Sequence, residues 1–213
     1  MTLGALALVW GFVIWQWGDP FTAIYTRYQQ RELGSQLAAV ETRYSASTRA
    51  ASGTAAGPDT SKAAGALVRR DARRLRDETA TGNALGRIRI SRLGLDMVFV
   101  DGTDSGSLTK GPGFDQRTHL PGEGQLVYIA GHRTTYAAPF AHIDRLRNGD
   151  RVDLEMPYGT FAYRVVSHVI VAGTDIGRLR SRGREEVALQ ACHPRFSARE
   201  RYIVYAQPIS GTS

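Results

Sequence analysis

The sequence predicts a mainly β protein: a closed or nearly closed barrel of about seven to eight strands with few short helices, preceded by a helical N-terminal region. Three observations lead there. Beyond residue 82 the chain breaks into short runs rich in Val, Ile, Tyr and Phe. Turn chemistry such as "LPGEGQ" and "RNGDR" separates them. Only one later stretch, around Ala138–Leu146, has a helical pattern.

The elements follow in order. From Thr2 to Trp17 the chain carries no charge, and all three tryptophans lie in this segment, Trp15 and Trp17 at its end. It is slightly shorter than the roughly 20 residues of a spanning helix, and its terminal aromatics suit a membrane–water interface. A signal peptide would show a basic leading region and a small-residue cleavage site, and neither is present. A membrane anchor over residues 1–18 is therefore expected, with a buried core helix as the alternative.

After Asp19-Pro20, the positions Phe21, Ile24, Tyr25 and Tyr28, then Leu33 and Leu37, recur at helical spacing. Ser45 to Gly57 is small and polar, a linker by composition. A second helix is expected over Thr60–Glu78, with Ser61 as cap and Leu67, Val68, Ala72 and Leu75 on one face. Residues 19–82 thus read as a helical stalk and linker, and residues 83–210 as the β domain. Its strands are expected at 87–90, 97–102, 125–132, 151–156, 160–173, 185–192 and 201–207.

The net charge of +7 favours anionic surroundings without choosing among them. Five arginines fall between Arg69 and Arg76, most simply a solvated helix face, and no basic stripe interleaved with aromatics appears. Nucleic acid is not an expected partner. The single cysteine excludes an internal disulfide and any zinc site built on two cysteines. Asp101, Asp104 and Glu123 are carboxylates of the kind that ligate calcium, but their spacing demands no ion. No metal or cofactor is expected.

The chemistry concentrates at strand ends. His132 follows "VYIAG", where the small residues Ala130 and Gly131 leave its approach open. Cys192 ends another strand and is followed by His-Pro, where a central ladder cannot continue. Arg201 opens the next strand, which as an antiparallel neighbour would lie beside Cys192. His193 adjoins the cysteine, but neighbours in a strand face opposite sides. His168, within an apolar strand, reads as packed or hydrogen-bonded; His142 and His119 read as surface residues. A thiolate, an imidazolium and a guanidinium together suit acyl transfer: attack on a carbonyl, protonation of the leaving amine, and support of the oxyanion.

The blocks "YIAGHRTTYAAPF" and "LQACHPRFSARERYIVYA" resemble those of the sortase family, most closely its actinobacterial class E branch. The likeness covers roughly residues 83–208. It implies a sortase-like β-barrel with Cys192 as nucleophile, His132 as general acid for the leaving amine and Arg201 assisting substrate and oxyanion. It further implies substrate contacts at Tyr136, Ala191 and Leu189, with Tyr136 linked to an L-A-x-T-G-like signal over L-P-x-T-G. Cleavage between Thr and Gly and transfer to a cell-wall amine such as lipid II would follow. A single-pass membrane protein with an extracytoplasmic catalytic domain is the matching layout.

One departure stands out. The family's T-L-x-T-C reads here Ala188-Leu189-Gln190-Ala191-Cys192, without either threonine hydroxyl. Loss of a polar contact to the transition state at Ala191 would cost about 1–3 kcal/mol. A free thiol and a free imidazole ionise near pH 8.5 and 6.5, so few molecules would hold the reactive ion pair and a bell-shaped pH profile is expected. Two other functions fit the residues less well. An L,D-transpeptidase-like cross-linker would place His and Gly shortly before the cysteine, and "VALQAC" has neither. A catalytically weak membrane-anchored binding module is the third reading.

Overall fold

The computed structural model describes residues 20–52 and 60–209, together with Gly4 and Gly11. The expected anchor over residues 1–18 otherwise lies outside the described residues. No helix among those described is long and apolar enough to cross a membrane.

Two helices come first, α1 (Pro20–Ser52) and α2 (Thr60–Glu78). The expected break at Ser45 does not occur, because residues 45–52 contain neither Gly nor Pro to stop the helix. Ser61 lies inside the first turn of α2, not at its cap. Both helices lie on the barrel. Leu33 and Leu37 of α1 are buried against Ala84, Val98 and Val100. Tyr44 of α1, with Ala72 and Leu75 of α2, joins the large cluster that fills the barrel. Leu67, placed by periodicity on the packed face, is exposed.

The barrel has eight strands among the described residues: β1 (Ala84–Ile90), β2 (Leu95–Asp101), β3 (Gly113–Phe114), β4 (Leu126–Ala130), β5 (Arg151–Met156), β6 (Gly159–Ala172), β7 (Glu186–His193) and β8 (Glu200–Pro208). They close in the order β1-β2-β3-β4-β7-β8-β6-β5. Two neighbouring pairs, β2/β3 and β4/β7, run parallel; the rest are antiparallel. Closure leaves no long exposed edge, which is why so many short strands are stable together.

Four elements are absent from the sequence expectation: 3₁₀ turns at Ser91–Leu93 and Ile176–Leu179, a strand and a helix. β3 spans two residues, and the short helix α3 (Ser105–Lys110) is capped by the Asp104 carboxylate, which accepts from the Ser107 amide at 3.0 Å. Conversely, the helix expected over 138–146 shrinks to one 3₁₀ turn at Ile143–Arg145. Pro139 explains this: it bars the helical region to the residue before it, and Ala138 sits instead at φ 42°.

A second, smaller cluster covers the outer face of the β4–β7–β8–β6 wall, formed by Leu126, Tyr128, Val171, Ala188, Ile203 and Tyr205. Strand alternation therefore sorts β7: Val187, Leu189 and Ala191 face the interior, and Ala188 faces out.

Candidate active site

The site is built from strand register. Parallel pairing sets Leu126 opposite Glu186 and Ala130 opposite Gln190, an offset of sixty residues. The Gly131 amide extends the ladder by donating to the Gln190 carbonyl at 2.9 Å. The strand ends at Ala130, but the same offset carried two residues further would set His132 level with Cys192, and Arg133, one residue on, does reach the Cys192 carbonyl. On the other side of β7, antiparallel pairing sets Arg201 directly opposite Cys192. Direct partners project on the same face of a sheet. Three adjacent strand ends thus bring the predicted trio to one end of the outer wall.

Cys192 is half-buried and free. Burial disfavours the charged form of the His132 imidazole and holds its pKa below the ordinary value. The Tyr136 ring lies beside it, with centroids 5.1 Å apart. The guanidinium of Arg201 donates through Nη1 to the carbonyls of Ala198 (2.7 Å) and Glu200 (3.0 Å), so its backbone flanks Cys192 while its head secures the β7–β8 loop.

Gly131 has a different purpose from the open approach expected of it. It is buried, and a Cβ there would stand 2.6 Å from Cδ2 of Phe140, whose ring is fully buried. The glycine lets Phe140 close the loop that follows His132. The Phe140 amide donates to the His132 carbonyl at 3.0 Å, fixing both ends of that loop together.

Sequence reasoning missed Arg133. Its side chain is only 4% exposed, although a charged residue just past a strand normally reads as surface. Nη1 donates to the Cys192 carbonyl at 3.3 Å and lies 2.9 Å from Nδ1 of His193. A guanidinium has no acceptor, so Nδ1 must accept, which places the His193 proton on Nε2. Nη2 pairs with Asp144 at 3.1 Å, and the guanidinium lies 5.8 Å from the Tyr202 ring centroid. Arg133 therefore ties the segment after His132 to the backbone of Cys192. The available signal was its position directly after the histidine in "GHRTTY".

The substrate contacts expected on β7 do not reach the surface. Leu189 and Ala191 are fully buried in the interior cluster and present no surface to a bound peptide. By the same alternation the missing hydroxyl at Ala191 faces the core, not the thiol. His193 does turn away from Cys192, toward Arg133 and Tyr202. His168 is exposed, paired with Val204 across the β6–β8 ladder and with its ring centroid 6.0 Å from that of Tyr202. The carboxylates weighed for calcium have separate partners: Asp101 accepts from Gln116, Asp104 caps α3, and Glu123 pairs with Arg76 at 2.8 Å. No cluster among the described residues could hold a metal ion.

Residues 88–209, more than half of the chain, match the Sortase domain family. The chain belongs to the sortase family. It is 33% identical over 135 residues to Sortase D of Bacillus subtilis, a match that covers 61% of this chain and 66% of that protein. Among solved structures, a Clostridium perfringens Sortase D5 transpeptidase is 25% identical with a TM-score of 0.59, covering 66% of this chain and 88% of that one. Sortase E1 from Streptomyces coelicolor, solved with a tripeptide in its active site, has a TM-score of 0.57 at 23% identity, covers 62% and 91% of the two chains, and so shares the fold. Sortases are cysteine transpeptidases that act on sorting signals of surface proteins and on cell-wall precursors. The L,D-transpeptidase alternative gives way to this family.

Proposed function

We propose that this sortase is a membrane-anchored transpeptidase of the class E type, single-pass with its catalytic domain outside the cytoplasm. It cleaves a C-terminal L-A-x-T-G-like or L-P-x-T-G-like signal between Thr and Gly and passes the acyl group to a cell-wall amine such as lipid II. The observation that supports this is the register that sets Arg201 opposite Cys192, on a strand whose other neighbour, β4, ends two residues before His132.

In this mechanism the Cys192 thiolate attacks the Thr carbonyl carbon, forming the C–S bond and a tetrahedral oxyanion. The His132 imidazolium gives its proton to the Gly nitrogen as the C–N bond breaks, leaving a thioester. The acceptor amine then attacks the thioester, its proton returns to His132, and the C–S bond breaks to restore the thiolate. Arg201, opposite Cys192 in the sheet, supplies positive charge to the oxyanion once its head group turns from the Ala198 and Glu200 carbonyls, and Tyr136, against His132, meets the second position of the signal.

The test uses the full chain in detergent with L-A-x-T-G and L-P-x-T-G peptides and a glycine-based amine acceptor. Intact mass should reveal an acyl adduct that Cys192→Ala abolishes. The binding-module alternative draws on one observation, the engagement of Arg201 with the Ala198 and Glu200 carbonyls. No adduct with any signal peptide would decide for it.

A further inference from the structure

The first turns of α1 reach the active site. Three side chains at four-residue spacing, hence on one helix face, fasten this helix to the barrel's backbone. Gln30 donates from Nε2 to the carbonyls of Val98 (2.8 Å) and Lys110 (2.9 Å) and accepts from the Val98 amide at 2.8 Å. It takes the place of a strand along the part of β2 that β3 leaves unpaired. Gly111 makes room for it, since a Cβ there would lie 2.5 Å from Gln30 Nε2. One turn earlier the fully buried Thr26 hydroxyl bonds to the Thr109 carbonyl at 2.9 Å. Another turn earlier, the Thr22 hydroxyl accepts from the Tyr136 amide at 2.9 Å.

That last contact falls where the backbone most needs support. Tyr136, Ala137 and Ala138 all have left-handed φ values, 51°, 59° and 42°. Side chains with a Cβ disfavour this region, and consecutive residues remain in it only when their surroundings fix them. Within the loop, the Ala138 amide donates to the Thr135 carbonyl at 2.8 Å. From outside, Thr22 grips the first of the three. The ring of that same residue rests on His132. The junction is not core packing: Thr22, Tyr25, Thr109 and Tyr136 line a shallow open cleft.

We infer that Thr22 is a positioning residue: by holding the Tyr136 amide it sets the Tyr136 ring against His132, which makes α1 part of the active-site assembly and not a spacer. The importance of this for turnover rests on the transpeptidase reading above, but the positioning itself does not.

Two measurements on the full chain in detergent separate them. The first is the titration of His132 by NMR with labelled histidine, assigned through His132→Gln. The second is kcat/KM for a sorting-signal peptide. Thr22→Val keeps the shape and removes the acceptor. It is expected to let the Tyr136 ring withdraw, raise the His132 pKa toward its ordinary value, and lower kcat/KM about three- to tenfold, mostly through KM, as expected for one hydrogen bond. Thr22→Ser should behave as wild type in both. Thr26→Val, which breaks the neighbouring fastening, should lower the melting temperature without moving the His132 titration. An unchanged His132 titration in Thr22→Val overturns the inference. So does a Thr22→Ser that shifts it as far as Thr22→Val, or a Thr26→Val that shifts it equally. If wild type processes no peptide while only Thr22→Val moves His132, the transpeptidase reading falls and the positioning role stands.

Discussion

Replacing Arg133 with Met would remove a buried guanidinium while keeping an unbranched side chain in its channel. Its side chain is 4% exposed, so the head group's contacts are made out of water. Two of them, to the Cys192 carbonyl at 3.3 Å and to His193 Nδ1 at 2.9 Å, are hydrogen bonds from a charged donor. Such bonds contribute about 1.5–3 kcal/mol each, and the cation–π contact with Tyr202 adds about 0.5–2 kcal/mol. Against this, Met also removes the buried Nε, which has no hydrogen-bond partner among the described residues and costs about 1–3 kcal/mol. The released Asp144 is 48% exposed and readily solvated, so losing its ion pair matters little. The balance is a destabilisation of about 4 kcal/mol, or roughly 8–16 °C in a thermal melt for a chain of this size. Arg133→Lys should recover only part of it, since an ammonium cannot reproduce the fork that spans three partners. Circular dichroism melts of the three proteins decide. A midpoint for Arg133→Met within about 1 °C of wild type would refute the reasoning, because the contacts would then carry no net stability.

Three further outcomes are expected. Gly131→Ala forces a methyl against the buried Phe140 ring at 2.6 Å and should destabilise by about 1–3 kcal/mol in urea titration; wild-type stability would show that the ring has room to move. Because burial lowers the His132 pKa, the lower of the two apparent values of the thiol–imidazole pair falls with it. The acid limb of kcat/KM should lie below about pH 6.5, and a limb above pH 7 would contradict the burial argument. Ala191→Thr, which restores the family residue, adds a methyl and a hydroxyl to a fully buried interior position. It should cost about 1–3 kcal/mol of stability without speeding peptide cleavage, and a faster enzyme would place that hydroxyl in the groove after all.

The neighbourhood of the three candidate residues was legible because their spacing in sequence matches the sheet's own register: sixty residues separate His132 from Cys192, and sixty separate Leu126 from Glu186. The strands were legible through β-branched and aromatic runs bounded by Gly and Pro. What stayed hidden has physical causes. β3 is two residues long, too short for any periodicity. Arg133 is a charge whose partners come from β7 and from Asp144, and nothing local announces its burial. The docking of α1 through Gln30 depends on an unpaired stretch of β2, a property of the sheet and not of the helix. The faces of Leu189 and Ala191, however, were within reach. The alternation that sets His193 apart from Cys192 also turns Ala191 inward.

Topology explains why the site lies where it does. In a parallel pair both strands finish at the same end, so the residues following β4 meet the last residues of β7. β8, antiparallel to β7, must then begin at that end, which delivers Arg201. Had β4 and β7 paired antiparallel, His132 would stand near Glu186, at the opposite end from the thiol. Register matters as much as direction. A slip of one residue in β7 would turn Ala191 or His193 to the outer face and bury the sulfur. Lengthening the β5–β6 hairpin, across the barrel, would shift none of the three. The contacts that prevent a slip are those that link the His132 segment to β7: the Gly131 amide on the Gln190 carbonyl and the Arg133 guanidinium on the Cys192 carbonyl. Both act on backbone atoms. They therefore hold the thiol-bearing segment in register whatever side chains surround it.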